Sequence, residues 1–185
     1  ALVNRGSANR GNDFEQSIHR QLGKLEVEDY LSGINNLKNL NYIDTNKMAV
    51  HGWSYGGFLT ISLMQKLPNV FKVGVAGGPV IDWRYYEVMY GERYMDKPEE
   101  NEEGYKNSSL LTTIKNIKGK LLVIHGDMDP VVVWQHSLLY LKKSVEEGVT
   151  NIDYFVYPGH QHNIMGKDRI HLYNKIEQYI NDGLK

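Results

Sequence analysis

Apolar residues gather into four short runs: MAVHGW (48–53), VGVAGG (73–78), KLLVIHG (120–126) and DYFVYP (153–158). Each is rich in Val, Ile or Tyr and ends in an aromatic, Gly or Pro position, the pattern of a strand. The first three are almost continuously apolar, which predicts a parallel sheet covered on both faces. Between the runs the pattern is helical. LEVEDYLSGINNLKNL (25–40) carries apolar residues at Val27, Tyr30, Leu31, Ile34, Leu37 and Leu40. YGGFLTISLMQKL (55–67) and RIHLYNKIEQYI (169–180) read the same way, and WQHSLLYLKKSVEEG (134–148) ends on a glycine suited to a helix C-cap. Strand and helix in alternation predict an α/β fold. No internal repeat or low-complexity tract interrupts it. The polar stretch DKPEENEEGYKNSS (96–109) reads as a surface insertion within one domain, not as a boundary.

Composition narrows the function classes. The 185 residues suffice for one domain with a core, and a hydrophobic content of 41% excludes a disordered chain. A formal net charge of -1 gives no reason to expect nucleic acid or an anionic membrane as partner. The apolar runs are too short to span a bilayer. With no cysteine there is no disulfide framework, thiol nucleophile or thiolate metal site. The histidines show no metal-ligand spacing such as H-E-x-x-H, so neither metal nor cofactor is expected. The chain opens on ALVNRGS, without an initiator Met or a signal peptide. It reads as an excised piece of a longer protein, with Ala1 foreign to it.

Candidate chemistry centres on GWSYGG (52–57), which sits between a predicted strand and a predicted helix. A serine hydroxyl needs a base to take its proton and must stand clear of the sheet. A sharp strand-to-helix turn provides that, and Gly52 and Gly56 are expected to remove side chains that would clash in it, the logic of the G-x-S-x-G nucleophile elbow. Ser54 is then the nucleophile, and the Tyr55 N–H faces the developing oxyanion at the head of the helix. Such a fold orders its triad Ser, acid, His. DMDP follows the third run and GHQHN the fourth, both at strand-to-loop junctions where open α/β sheets place ligands. Asp129 is expected to orient the imidazole and stabilise its charged form, and His162 to act as base and then acid. Asp127 is the alternative acid, read otherwise as a turn or helix cap, and His160 the alternative base. His51, His125, His136, His19 and His171 read as packing or surface residues.

On these residues the chain resembles the C-terminal catalytic domain of the prolyl oligopeptidase group of serine peptidases. Within it the chain is most similar to the dipeptidyl peptidase IV branch, which includes bacterial prolyl tripeptidyl peptidases. The motifs are NRGSANRG, GWSYGG, DWRYYEVMYGERYM (82–95), HGDMDPVVVWQHS and PGHQHNIMG, in that order over nearly the whole chain. The resemblance implies the C-terminal part of an α/β-hydrolase fold, a mostly parallel sheet flanked by helices, with residues 1–185 a partial catalytic domain whose upstream strands and gating β-propeller lie elsewhere. It implies cleavage after proline, a few residues from a free N-terminus. It also implies a proline pocket walled by Tyr55, Val80, Trp83, Tyr86, Tyr90 and Val132. Aromatic faces suit a small apolar pyrrolidine ring. By pattern alone, WRYYEVMY reads instead as an amphipathic helix with its aromatics in the core.

One position departs from the branch. Dipeptidyl peptidases carry an Asn two residues after the catalytic Asp, where this chain has Val131, which has no polar side-chain group. That favours tripeptidyl over dipeptidyl release. The family's second oxyanion donor, a tyrosine hydroxyl, and its amine-binding glutamates belong to upstream segments, so residues 1–185 alone are expected to be nearly inactive. Missing upstream strands also leave the strand at 48–53 as an apolar edge, and self-association through it, or through the uncovered face beside it, is expected. Relatives often dimerise through this domain, and bacterial members are periplasmic, envelope-associated or secreted. Two other classes remain: an α/β-hydrolase esterase or acylaminoacyl-type peptidase without proline specificity, and a non-catalytic binding relative, which would normally have lost part of the triad.

Overall fold

The computed structural model describes residues 2–185 and leaves Ala1 outside them. Four parallel strands lie in chain order: β1 (Ala49–Trp53), β2 (Val73–Gly77), β3 (Lys120–Gly126) and β4 (Ile152–Tyr157). Their registers align Trp53 with Gly77, Gly77 with Ile124, and Gly126 with Tyr157, so all four strands finish along one rim. The helices are α1 (Asn12–Gln16), α2 (Leu25–Lys38), α3 (Tyr55–Lys66), α4 (Val88–Met95), α5 (Glu102–Ser108), α6 (Gln135–Glu146) and α7 (Asp168–Gly183). No helix among the described residues is long and apolar enough to cross a membrane.

The continuous apolar runs divide by alternation. In β3, Leu121 and Val123 join a core with α2, α3 and Tyr140 of α6, while Leu122 and Ile124 face a second core with Leu172 and Ile176 of α7. Helices therefore cover both faces, as the near-continuous hydrophobicity of β2 and β3 predicts. α3 is buried from Gly57 to Gln65, which explains why it reads apolar nearly all round.

Two expectations are altered locally. The stretch 96–109 lies mostly at the surface, as expected, but it is not an irregular one. It holds a 3-10 turn at Pro98–Glu100 and then α5. The Asn101 side chain accepts from Gly104 N–H at 3.2 Å and donates to Met95 O at 2.9 Å, and buried Tyr105 donates its hydroxyl to Asp96 O at 2.7 Å. Its charges occupy the outer face and mask one buried aromatic. WRYYEVMY is not one helix either. A 3-10 turn at Trp83–Tyr85 ends at extended Tyr86 before α4 begins.

Candidate active site

The rim carries the site. At the end of β1, Ser54 takes φ 59° and ψ -118°, a conformation side chains rarely adopt. The turn is held by Ser54 N–H donating to Gly77 O at 2.8 Å and Phe58 N–H donating to Ser54 O at 3.0 Å. A Cβ at Gly52 would meet the Gly56 carbonyl oxygen at 2.2 Å, so that glycine is obligatory. The second obligatory glycine is Gly57, whose Cβ would meet Gly77 O at 2.7 Å, and not Gly56, whose Cβ would meet nothing within 4 Å among the described residues. Tyr55 opens α3, so its N–H has no acceptor within the helix and remains available to an oxyanion.

Asp129 follows β3 and His162 follows β4. His162 Nδ1 lies 2.7 Å from Asp129 Oδ2. His125 Nε2 lies 3.2 Å from the same oxygen, while Oδ1 accepts from Val131 N–H at 2.8 Å and Val132 N–H at 3.0 Å. Burial alone would raise the Asp129 pKa. The bonds from His125, His162, Val131 and Val132 outweigh it and hold the carboxyl well below the usual range. Ionised Asp129 can only accept, so the His162 proton sits on Nδ1 and Nε2 is left bare. No hydrogen bond joins His162 to Ser54 Oγ in this structure. The Gly77–Gly78 turn lies between them: it accepts from Ser54 N–H, and a Cβ at Gly78 would lie 3.3 Å from His162 Cε1.

The two rival residues have other partners. Asp127 accepts from Gly159 N–H at 2.6 Å, and His160 Nε2 meets Asp168 at 2.8 Å. With Met128 N–H donating to His160 O at 3.0 Å, they tie the Asp129 loop to the His162 loop.

Beside this rim the aromatics named from the sequence converge. Trp83 stacks on Tyr90 at 5.7 Å between centroids, meets Tyr86 edge-on at 5.5 Å and lies 5.6 Å from Tyr55. Tyr86 meets Tyr90 edge-on at 5.2 Å. Val80 and Val132 are buried in the same core. Burial, with neighbouring Tyr94 and Tyr86, pushes the Tyr90 phenol up to about 12. Burial likewise raises Tyr55 and Tyr86, so the box stays uncharged at neutral pH.

The family profile described as "Prolyl oligopeptidase family" matches residues 1–185. The chain belongs to the prolyl oligopeptidase family. Among solved family structures, a Bacteroides ovatus protein described as "a putative dipeptidyl aminopeptidase IV" is 51% identical, with a TM-score of 0.95 over 97% of this chain and 25% of its own. Porphyromonas gingivalis dipeptidyl peptidase 4 is 34% identical, with a TM-score of 0.92 over 97% of this chain and 26% of its own. Mouse dipeptidyl peptidase 8 is 34% identical over 167 residues, 88% of this chain and 19% of that protein. The chain thus spans about a fifth of the length of such curated prolyl oligopeptidase relatives.

In this member of the prolyl oligopeptidase family, three site residues escaped the sequence reading. Glu26, 1% exposed, accepts the Tyr55 hydroxyl and the Gly23 N–H, at 3.1 Å from Oε2. It fixes one wall of the box. The spacing Gly-x-x-Glu at the start of α2, where a glutamate reaches back to an N–H, was the available signal. His125, read as packing or surface, is fully buried and bonded to Asp129. Trp53 Nε1–H donates to His162 O at 2.8 Å, joining the strand that leads to Ser54 to the loop that carries His162.

Proposed function

We propose that the chain is the catalytic portion of a serine exopeptidase that releases N-terminal dipeptides by cleaving after proline. The observation that carries this is the Asp129–His162 pair at 2.7 Å on the rim that presents strained Ser54, beside an uncharged aromatic box. Ser54 Oγ adds to the prolyl carbonyl carbon as its proton passes to His162 Nε2. The oxyanion faces the Tyr55 N–H, and Asp129 stabilises the imidazolium. Collapse breaks the C–N bond, and the amine leaves with the proton from His162. Water then attacks the acyl ester by the same base, releasing the peptide and restoring Ser54. The box formed by Tyr55, Val80, Trp83, Tyr86, Tyr90 and Val132 selects the pyrrolidine ring. The similar proteins named as dipeptidyl peptidases support dipeptide release.

Tripeptide release is the second reading, favoured by Val131. That side chain is exposed and apolar, and its N–H is already held by Asp129. The deciding experiment compares Ala-Pro, Ala-Ala-Pro and p-nitrophenyl acetate substrates on the full-length protein. Ala-Pro turnover that vanishes in Ser54→Ala is expected. Dominant turnover of the tripeptide supports the second reading, and ester hydrolysis without prolyl turnover supports a plain esterase. For the chain itself we also infer self-association, because β1 has a strand neighbour on one side only and is half-exposed.

A further inference from the structure

The walls of the aromatic box come from separate segments. Val80, Trp83 and Tyr86 lie on the stretch leaving β2, and Val132 lies just ahead of α6. One side chain joins the two. His136, in the first turn of α6 and 2% exposed, accepts at Nδ1 from Ile81 N–H at 3.1 Å, and its Nε2 lies 3.2 Å from Tyr85 O. An amide N–H can only donate and a carbonyl can only accept. The tautomer is therefore fixed, with Nδ1 bare and the proton on Nε2.

We propose that His136 is a positioning residue for the proline box, a neutral clamp that fixes residues 81–85 to the head of α6 and lets go when protonated. This rests on the peptidase reading. The clamp spans the segment that carries Trp83 and ends one residue before Tyr86. A second ring proton would sit on Nδ1 and point head-on at the Ile81 N–H, which removes the acceptor and adds a repulsion. The groups around the ring come from every neighbouring element. Burial is the strongest influence and lowers the His136 pKa; the Tyr85 carbonyl raises it, His125 from β3 lowers it, and Asp82 and Asp129 raise it. Lys142, one and a half turns along α6, lines the same surface hollow. The net shift is downward, so the ring is neutral at neutral pH and the clamp is closed. Opening belongs to the acid side, below the ordinary imidazole range of about 6.5.

The test uses the full-length protein with His136→Gln and His136→Leu. Glutamine offers one acceptor and one donor without titrating; leucine offers neither. KM and kcat for Ala-Pro-p-nitroanilide are followed from about pH 5 to 8, the range in which imidazoles titrate. Ser54 labelling by a fluorophosphonate probe is followed in parallel. At neutral pH, Leu is expected to raise KM about five- to tenfold through two lost bonds, while Gln stays within about twofold. Ser54 labelling should be equal in all three. Towards acid pH, KM should climb in the wild type and stay flat in Gln, with any change in kcat common to the two. If Leu misfolds and labels poorly, the wild-type and Gln profiles decide alone. Identical KM profiles for those two, or a folded Leu variant with unchanged KM, overturn the clamp while leaving the peptidase reading intact. Failure of Ser54 to label in the folded wild-type protein overturns that reading and the clamp with it.

Discussion

Both oxygens of Asp129 are occupied: two imidazoles face one, and two backbone N–H groups face the other. An asparagine amide cannot accept on both sides, and its NH2 would confront either the Val131 and Val132 N–H groups or His162 with the wrong tautomer. Asp129→Asn is expected to lower kcat by about 10⁴ in the full-length protein, read on Ala-Pro-p-nitroanilide. The lowered pKa of this carboxyl, and of buried Asp82 beside Arg84 and Ser109, has a second consequence. Folded values below the unfolded ones mean that the unfolded state binds more protons as the pH drops. The stabilisation is complete above about pH 4, the ordinary aspartate range, and is lost as pH falls through the folded values. Melting temperature should therefore fall steeply below about pH 4, and Asp129→Asn should flatten part of that slope in calorimetry. The residues at strand ends were legible in the sequence because motif and position coincide there. Glu26, Trp53 and His136 were not, since each acts through partners brought close only by the fold. His125 was partly legible: it continues the Leu121, Val123 alternation toward the core, and a buried imidazole must find partners.

At the scale of elements, the strand-to-helix turn is the most constrained piece. Gly52→Ala drives a Cβ into backbone atoms of Gly56, which a side-chain shift cannot relieve. It should cost about 3 kcal/mol in denaturant unfolding, at the upper end for overpacking. Gly56→Ala meets open space inside a helix, so it should be neutral or stabilise by up to about 1 kcal/mol. The opposite ranking would mean that the turn differs in solution. The four strands and the four longer helices were legible from pattern alone, with boundaries shifted by at most three residues. The short α5 was not. Its segment carries seven charges in fourteen positions, and only Tyr105 and the Asn101 cap reveal that it packs.

At the scale of the whole molecule, the sheet is covered on both faces, and among the described residues β1 and β4 each have a strand neighbour on one side only; β1 is the edge that leads to Ser54. An unpaired, half-exposed edge templates pairing with another chain. Residues 1–185 handled alone should elute as dimers or larger species, and a charge placed on the edge by His51→Lys should shift them toward monomer; light scattering reads both. A monomer at high concentration before the change would exclude this edge as an interface. The indole bond from Trp53 to the His162 carbonyl has another implication. The strand that leads to the Ser54 hydroxyl and the loop that holds the His162 ring share a tether, so heat is expected to dislodge them together. Inactivation should then arrive in a single abrupt stage, with no warm regime of half-assembled catalysts.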